Sequence, residues 1–138
     1  MPSNKHALTA ALEFLHEPKV LYDLGCGFGL SSLFFAKKMP PCKVIGVENA
    51  LFPFLIAKLL SLFVPNLTIR FKNFLNFKPK DADAIYLYLC PSLMQKIDLT
   101  DFKNITVISN TFGFNATNPK HKKRLNDFYK STLYVYSF

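Results

Sequence analysis

Apolar residues recur along this chain in two alternating rhythms, one of helical and one of strand type. Across residues 4–16, Ala7, Leu8, Ala11, Leu12 and Leu15 share a helical face, and Pro18 follows the stop. Residues 19–24 form a short apolar run ending at a Gly-rich turn, the appearance of a buried parallel strand. A helical segment follows at 30–38, closed by Pro40-Pro41. The unit then repeats in kind, with a strand at 43–48 and a helix at 51–63 closed by Pro65. That helix is apolar on most sides, which predicts burial between the sheet and another element. Residues 67–71 alternate as a third strand, 83–89 make a fourth and 105–109 a fifth. Residues 119–129 read as a last helix, and 132–138 as a closing β-type segment. Strands alternating with helices predict an α/β fold: a doubly wound, mostly parallel sheet of about six to seven strands flanked by helices. No repeat, low-complexity tract or linker divides the chain, so residues 1–138 read as a single three-layer domain.

Composition supports a folded chain and adds a charge. Half of the residues are hydrophobic and 19% are charged, which excludes a disordered class. Fifteen Phe and six Tyr, with no Trp, point to a core rich in aromatic rings. The net charge of +8 implies attraction to acidic partners: nucleic acid, an anionic membrane or an acidic protein surface. Cys26, Cys42 and Cys90 are isolated, odd in number and without metal-ligand spacing, so a cytoplasmic setting is expected and no metal site. The apolar stretch 50–64 contains Pro53 and Lys58 and is too short to span a bilayer, which leaves peripheral membrane contact open.

The chemistry concentrates after the first strand. Gly25, Gly27 and Gly29 lie between a strand and a helix, where glycine lets a ligand approach the main chain and the helix N-terminus supplies free N–H groups. A dinucleotide fingerprint needs G-x-G-x-x-G; here the third glycine comes one residue early, and Asp23 stands two places before the first. Glu48 ends the second strand, where an acidic residue accepts hydrogen bonds from ribose hydroxyls.

The D-x-G-x-G-x-G pattern from Asp23 to Gly29 resembles the first motif of class I S-adenosylmethionine-dependent methyltransferases. The resemblance implies a Rossmann-like methyltransferase fold and S-adenosylmethionine as cofactor. Asp23 then faces the cationic methionine portion, with Gly25, Cys26, Gly27 and Gly29 forming the loop and Glu48 and Asn49 following the second strand. Asn73 and Phe74, after the third strand, correspond to the adenine site, where many members carry Asp; Asn73 as a plain turn residue and Phe74 as core is an equal alternative. After the fourth strand, Tyr88, Cys90 and Pro91 are candidates for the acceptor channel and the catalytic positions, although Tyr88 and Cys90 also suit structural roles. The Asn-Pro-Pro-Tyr type tetrad of enzymes that methylate amino groups of nucleic acid and glutamine is absent. Phe28, where many relatives have a small or acidic residue, is a departure.

Residues 21–27, 45–49, 86–94 and 107–112 are further similar to small bacterial class I methyltransferases, with the lysine methyltransferases of ATP synthase subunit c as the nearest suggestion. This implies a protein acceptor and assigns Pro91, Met94, Phe112 and Phe114 to the acceptor site. RNA or a small molecule is the alternative acceptor, favoured by the charge and by Lys120-His121-Lys122-Lys123-Arg124. RNA recognition usually adds stacking aromatics beside such a patch, and spacing alone does not place Phe112, Phe114 or Tyr129 there. A homodimer and a non-catalytic binding module complete the readings.

Overall fold

The structure, a computed structural model, describes residues 4–76, 78, 80–100, 102–115, 117–126 and 130–138. Asn4 starts the first helix: its Oδ1 accepts the Ala7 N–H at 2.8 Å, and α1 (Lys5–Phe14) buries Ala7, Leu8, Ala10 and Ala11. Then β1 (Val20–Leu24) leads to α2 (Leu30–Lys38), and β2 (Lys43–Glu48) leads to α3 (Leu51–Ser61). After β3 (Leu67–Phe71) and β4 (Ala84–Leu87) comes a single helical turn, α4 (Pro91–Met94). The remaining strands are β5 (Thr106–Asn110), β6 (His121–Arg124) and β7 (Thr132–Ser137).

The seven strands form one sheet in the order β3-β2-β1-β4-β5-β7-β6. The five from β3 to β5 are parallel, and β7 lies antiparallel between β5 and β6. Because β1 pairs with both β2 and β4, the strand order reverses at β1, and ligands bind beyond the carboxyl ends at such a reversal. This is the mostly parallel sheet that the alternating pattern predicts, with the Rossmann-like arrangement that the resemblance implies.

Successive side chains point to opposite faces and feed two cores. Leu21, Val44, Ala84 and Ile108 face α1, α2 and α3, whereas Tyr22, Ile45, Ile85 and Val107 face the other side. That second side is covered mainly by connections: Phe74, Met94, Ile97, Phe102 and Phe114 fill it, with α4 as its one short helix among the described residues. Phe114 packs edge-on to Tyr136 with ring centres 5.0 Å apart, and its N–H donates to the Tyr136 hydroxyl oxygen at 2.8 Å.

Two sequence expectations are corrected. Residues 121–124 form an outer strand on β7 instead of the start of a helix, with Lys120 N–H donating to the Val135 carbonyl at 2.7 Å and Leu125 N–H to Ser131 at 2.7 Å. The basic run has no apolar stripe to seat a helix, whereas β7 offers unpaired backbone groups that a strand satisfies. Residues 127–129 of the expected helix, Tyr129 included, lie outside the described residues. The second correction concerns α3, which buries Ala57 and Ser61 but exposes Leu51, Phe52, Leu55 and Leu59. Its fully buried positions are the small residues Ala57 and Ser61, with Phe54 packed against the core beside them, and these four large side chains point outward. Among the described residues no helix is long and apolar enough to cross a membrane.

Gly46 sits where the sheet meets the loop after β1. A Cβ there would lie 2.8 Å from Ile69 Cδ1, 2.8 Å from Ser32 Oγ and 2.9 Å from Cys26 Sγ. Filling a packed contact of this kind costs about 1–3 kcal/mol. Gly46→Val is therefore expected to lower the urea midpoint by an amount corresponding to that cost, with the slope unchanged. An unaltered midpoint would show that the layer under the loop has room to spare.

Candidate active site

The loop after β1 turns on three left-handed glycines, Gly25 (φ 72°), Gly27 (φ 59°) and Gly29 (φ 86°). Gly29 must also lack a side chain for packing, because a Cβ would stand 2.9 Å from that of Ala57 on α3. Gly27 is different: nothing lies within 4 Å of where its Cβ would be, so the backbone there faces open space. The loop is tied to the sheet through the Val47 carbonyl, which accepts from Gly25 N–H at 2.8 Å and Cys26 N–H at 3.1 Å.

Asp23, near the end of β1, is 2% exposed. Its Oδ2 accepts from the hydroxyls of Ser31 at 2.5 Å and Ser32 at 2.7 Å, both in the first turn of α2. No group among the described residues donates to Oδ1. Burial raises the Asp23 pKa from the usual 3.8 to about 6; the serine bonds pull it down and the nearby Glu48 charge pushes it up. Asp23 is thus a partly satisfied, desolvated carboxylate on the wall of a cleft.

Glu48 ends β2 and is also buried. One carboxylate oxygen accepts from Gly27 N–H at 2.9 Å; the other accepts from Asn49 N–H at 3.0 Å and Ala50 N–H at 2.9 Å. It therefore clamps the glycine loop to the start of α3 and occupies three of the roughly four lone-pair positions of a carboxylate.

These groups line a cleft of about 520 Å³, within the usual range for small-ligand sites. Of the sequence candidates, Asp23, Gly25, Cys26, Gly27, Glu48, Asn49, Phe74, Tyr88 and Cys90 lie on its wall. Gly29 is set back, at the N-cap of α2 against Ala57. Asn73 is not on the wall, and its Oδ1 accepts from Leu75 N–H at 3.0 Å, which closes a local turn. Pro91 is off the wall too, as the first residue of α4. Met94 and Phe114 are buried in the second core and Phe112 packs against it, so none of the three reaches the cleft. Burial pushes the Cys26 thiol up, while at exposed Cys90 a hydrogen bond with Ser92, Sγ to Oγ 3.2 Å, pulls the thiol down.

Sequence reasoning missed Ser31 and Ser32, although their place in the first turn after the glycine loop was a usable signal. It also missed Leu30, Pro53 and Tyr86 on the wall, for which spacing carried none, while Phe28, noted as a departure within the loop, lies on the wall as well. Another groove of similar volume, about 520 Å³, lies between α1 and β6 and is lined in part by Lys5, His6, Glu13, Lys123 and Arg124. It contains none of the candidate site residues and lies away from the strand reversal at β1, so the cleft by Asp23 is the better site. No group of three or more His, Cys, Asp or Glu among the described residues is arranged to hold a metal.

The raised Asp23 pKa makes a signed prediction. The folded state holds the proton more tightly than the unfolded chain, so this stability is full below pH 3.8 and is lost as pH rises through about 6. The difference between the two values corresponds to about 3 kcal/mol. Unliganded Asp23→Asn is expected to gain that much on the parent protein between pH 4 and pH 7, measured by urea unfolding across the range. A difference that does not change with pH would contradict the assignment.

No protein-family model matches the chain, and no curated protein matches it by sequence. Solved structures do resemble it. An RNA methyltransferase from Salinibacter ruber, determined with S-adenosyl-L-homocysteine, is 23% identical with TM-score 0.85, over 99% of this chain and 92% of that one. The Bacillus subtilis M1A22 tRNA methyltransferase TrmK is 16% identical with TM-score 0.75, over 99% of this chain and 67% of that one. A TehB-like SAM-dependent methyltransferase from Corynebacterium glutamicum is 11% identical with TM-score 0.68, over 98% and 89%. This chain has the fold that these methyltransferases share.

Proposed function

We propose that this chain is an S-adenosylmethionine-dependent methyltransferase that holds its cofactor in the cleft between Asp23 and Glu48 and methylates RNA. The observation that carries the enzyme reading is the pair of buried carboxylates flanking a glycine loop whose Gly27 backbone is open to the cleft.

The residues suit such a ligand. Asp23, with Oδ1 free of donors from the described residues, offers a negative charge to the ammonium and sulfonium of the methionine portion. Ser31 and Ser32 keep that carboxylate oriented. Glu48 has one acceptor position left for a ribose hydroxyl, and Asn49 stands beside it. Phe74 and Leu89 give an apolar wall for the adenine, so Phe74 rather than Asn73 is the better adenine contact. When bound, the cofactor supplies a methyl group already activated on a positive sulfur. The protein's part is then chiefly to orient an acceptor lone pair and exclude water. Tyr88 and Cys90, at the β4 end of the same wall, are the residues proposed to meet the acceptor.

RNA is better supported as acceptor than the protein lysine that the sequence resemblance favours. RNA and tRNA methyltransferases match over 99% of this chain, its net charge is +8, and three of the four residues of strand β6, His121, Lys122 and Arg124, are exposed. The missing Asn-Pro-Pro-Tyr type tetrad counts against an exocyclic amine as the target atom.

S-adenosylhomocysteine at 100 times its dissociation constant is expected to stabilise the fold by about 2.7 kcal/mol in thermal unfolding. Asp23→Ala and Glu48→Ala should each remove most of that gain, and affinity should fall about tenfold per pH unit below the Asp23 pKa of about 6. No stabilisation, in protein freed of co-purified cofactor, would overturn the enzyme reading. Transfer of a labelled methyl group to cell extract should put the label in the RNA fraction. Label in protein alone would return the acceptor to lysine.

A further inference from the structure

The outer surface of α3 has no counterpart in the catalytic reading. Phe52, Leu55, Leu59 and Leu62 follow one another at steps of three, four and three residues and are 52–70% exposed. That spacing is the a/d repeat of helices that pack along a common seam. Leu51 (59% exposed) and Phe63 (80%) extend the stripe at its ends. Lys58 is the one charged side chain on the helix.

The patch continues past the helix. The Phe28 ring meets Phe52 edge-on with centres 6.1 Å apart, and Phe71 lies against Phe54 at 5.1 Å. Together these side chains present on the order of 1,000 Å² of apolar surface, against about 300–600 Å² for the largest patch of an ordinary monomer. A standard interface buries roughly 800 Å² on each partner.

We propose that this surface is where a second copy of the chain docks, with α3 packed on α3 about a two-fold axis. A two-fold places the same stripe on both sides, so each apolar seam meets an identical one and closure leaves no free patch. The seam spacing matches a helix of its own kind, and the area matches one half of a standard dimer interface. Acidic groups are lacking on α3, so the patch has nothing to pair with a basic partner. The +8 charge opposes association of two copies at long range, and salt screens it. Phe28 also lies on the wall of the Asp23 cleft, so the interface reaches the mouth of the site. The inference stands independently of the methyltransferase reading, since it rests on the unliganded chain.

Sedimentation of the full chain from low to high micromolar concentration tests it. The expected result is a dimer that strengthens with added salt, together with a Leu55→Glu/Leu59→Glu variant whose dissociation constant is weaker by about a hundredfold or more. Both positions are exposed in the single chain, and an unchanged circular dichroism spectrum, with a melting temperature equal to that of the parent at concentrations where the parent is monomeric, would separate lost docking from lost folding. A parent protein that stays monomeric at all concentrations overturns the proposal. So does a dimer that survives the double substitution, or one that weakens with salt. A monomer that floats with anionic phospholipid vesicles overturns it as well and assigns the stripe to a lipid surface.

Discussion

The carboxylate of Glu48 is the point on which the site depends. A buried carboxylate is tolerated when strong donors surround it, and three backbone N–H groups do so here. Two of them begin the segment into α3 and one comes from the open turn at Gly27, so a single side chain ties the ends of β1 and β2 to one geometry. The loop, the entry to α3 and the acidic wall of the cleft are therefore consequences of the same group of bonds.

Asp23 shows the opposite use of burial. Two serine hydroxyls stabilise it incompletely, and its pKa stays near 6. A structural carboxylate with more donors would titrate lower and contribute more to the fold. Desolvation without full compensation destabilises the empty protein and leaves the group able to gain from a cation brought into the cleft. Binding sites commonly trade stability for affinity in this way. The two carboxylates, near in space, thus have distinct tasks set by their donors: Glu48 builds the loop, and Asp23 is held ready beside it.

Away from the cleft, the molecule has two further surfaces of contrasting character. On the β3 side of the sheet, small residues let α3 approach α2 closely, Gly29 meeting Ala57, and turn Leu and Phe side chains outward. At the far edge, β6 carries the basic run on the last strand of the sheet. The apolar stripe and the basic run thereby lie at opposite edges of the sheet, where each is free to meet a different kind of partner.

What the sequence alone determined was the periodic and the local. Five parallel strands, the glycine turn and the acidic residues at the ends of β1 and β2 were legible because alternation, punctuation by Pro and Gly, and a turn between strand and helix are all written in neighbouring residues. Strand β6 was not legible: a run of Lys and Arg has little preference of its own, and only the unpaired edge of β7 made it a strand. Nor was the outward face of α3: an apolar helix reads as buried throughout, and only its packing in the fold leaves Ala57 and Ser61 as its buried residues. Asn73, Pro91, Met94, Phe112 and Phe114 were assigned by resemblance, with a plain turn as the equal alternative for Asn73, and the fold has them in a turn, at a helix start, and in or against a core. Which side chains face a cleft depends on how distant segments pack against one another, and that is decided by tertiary contacts that spacing along the chain does not encode.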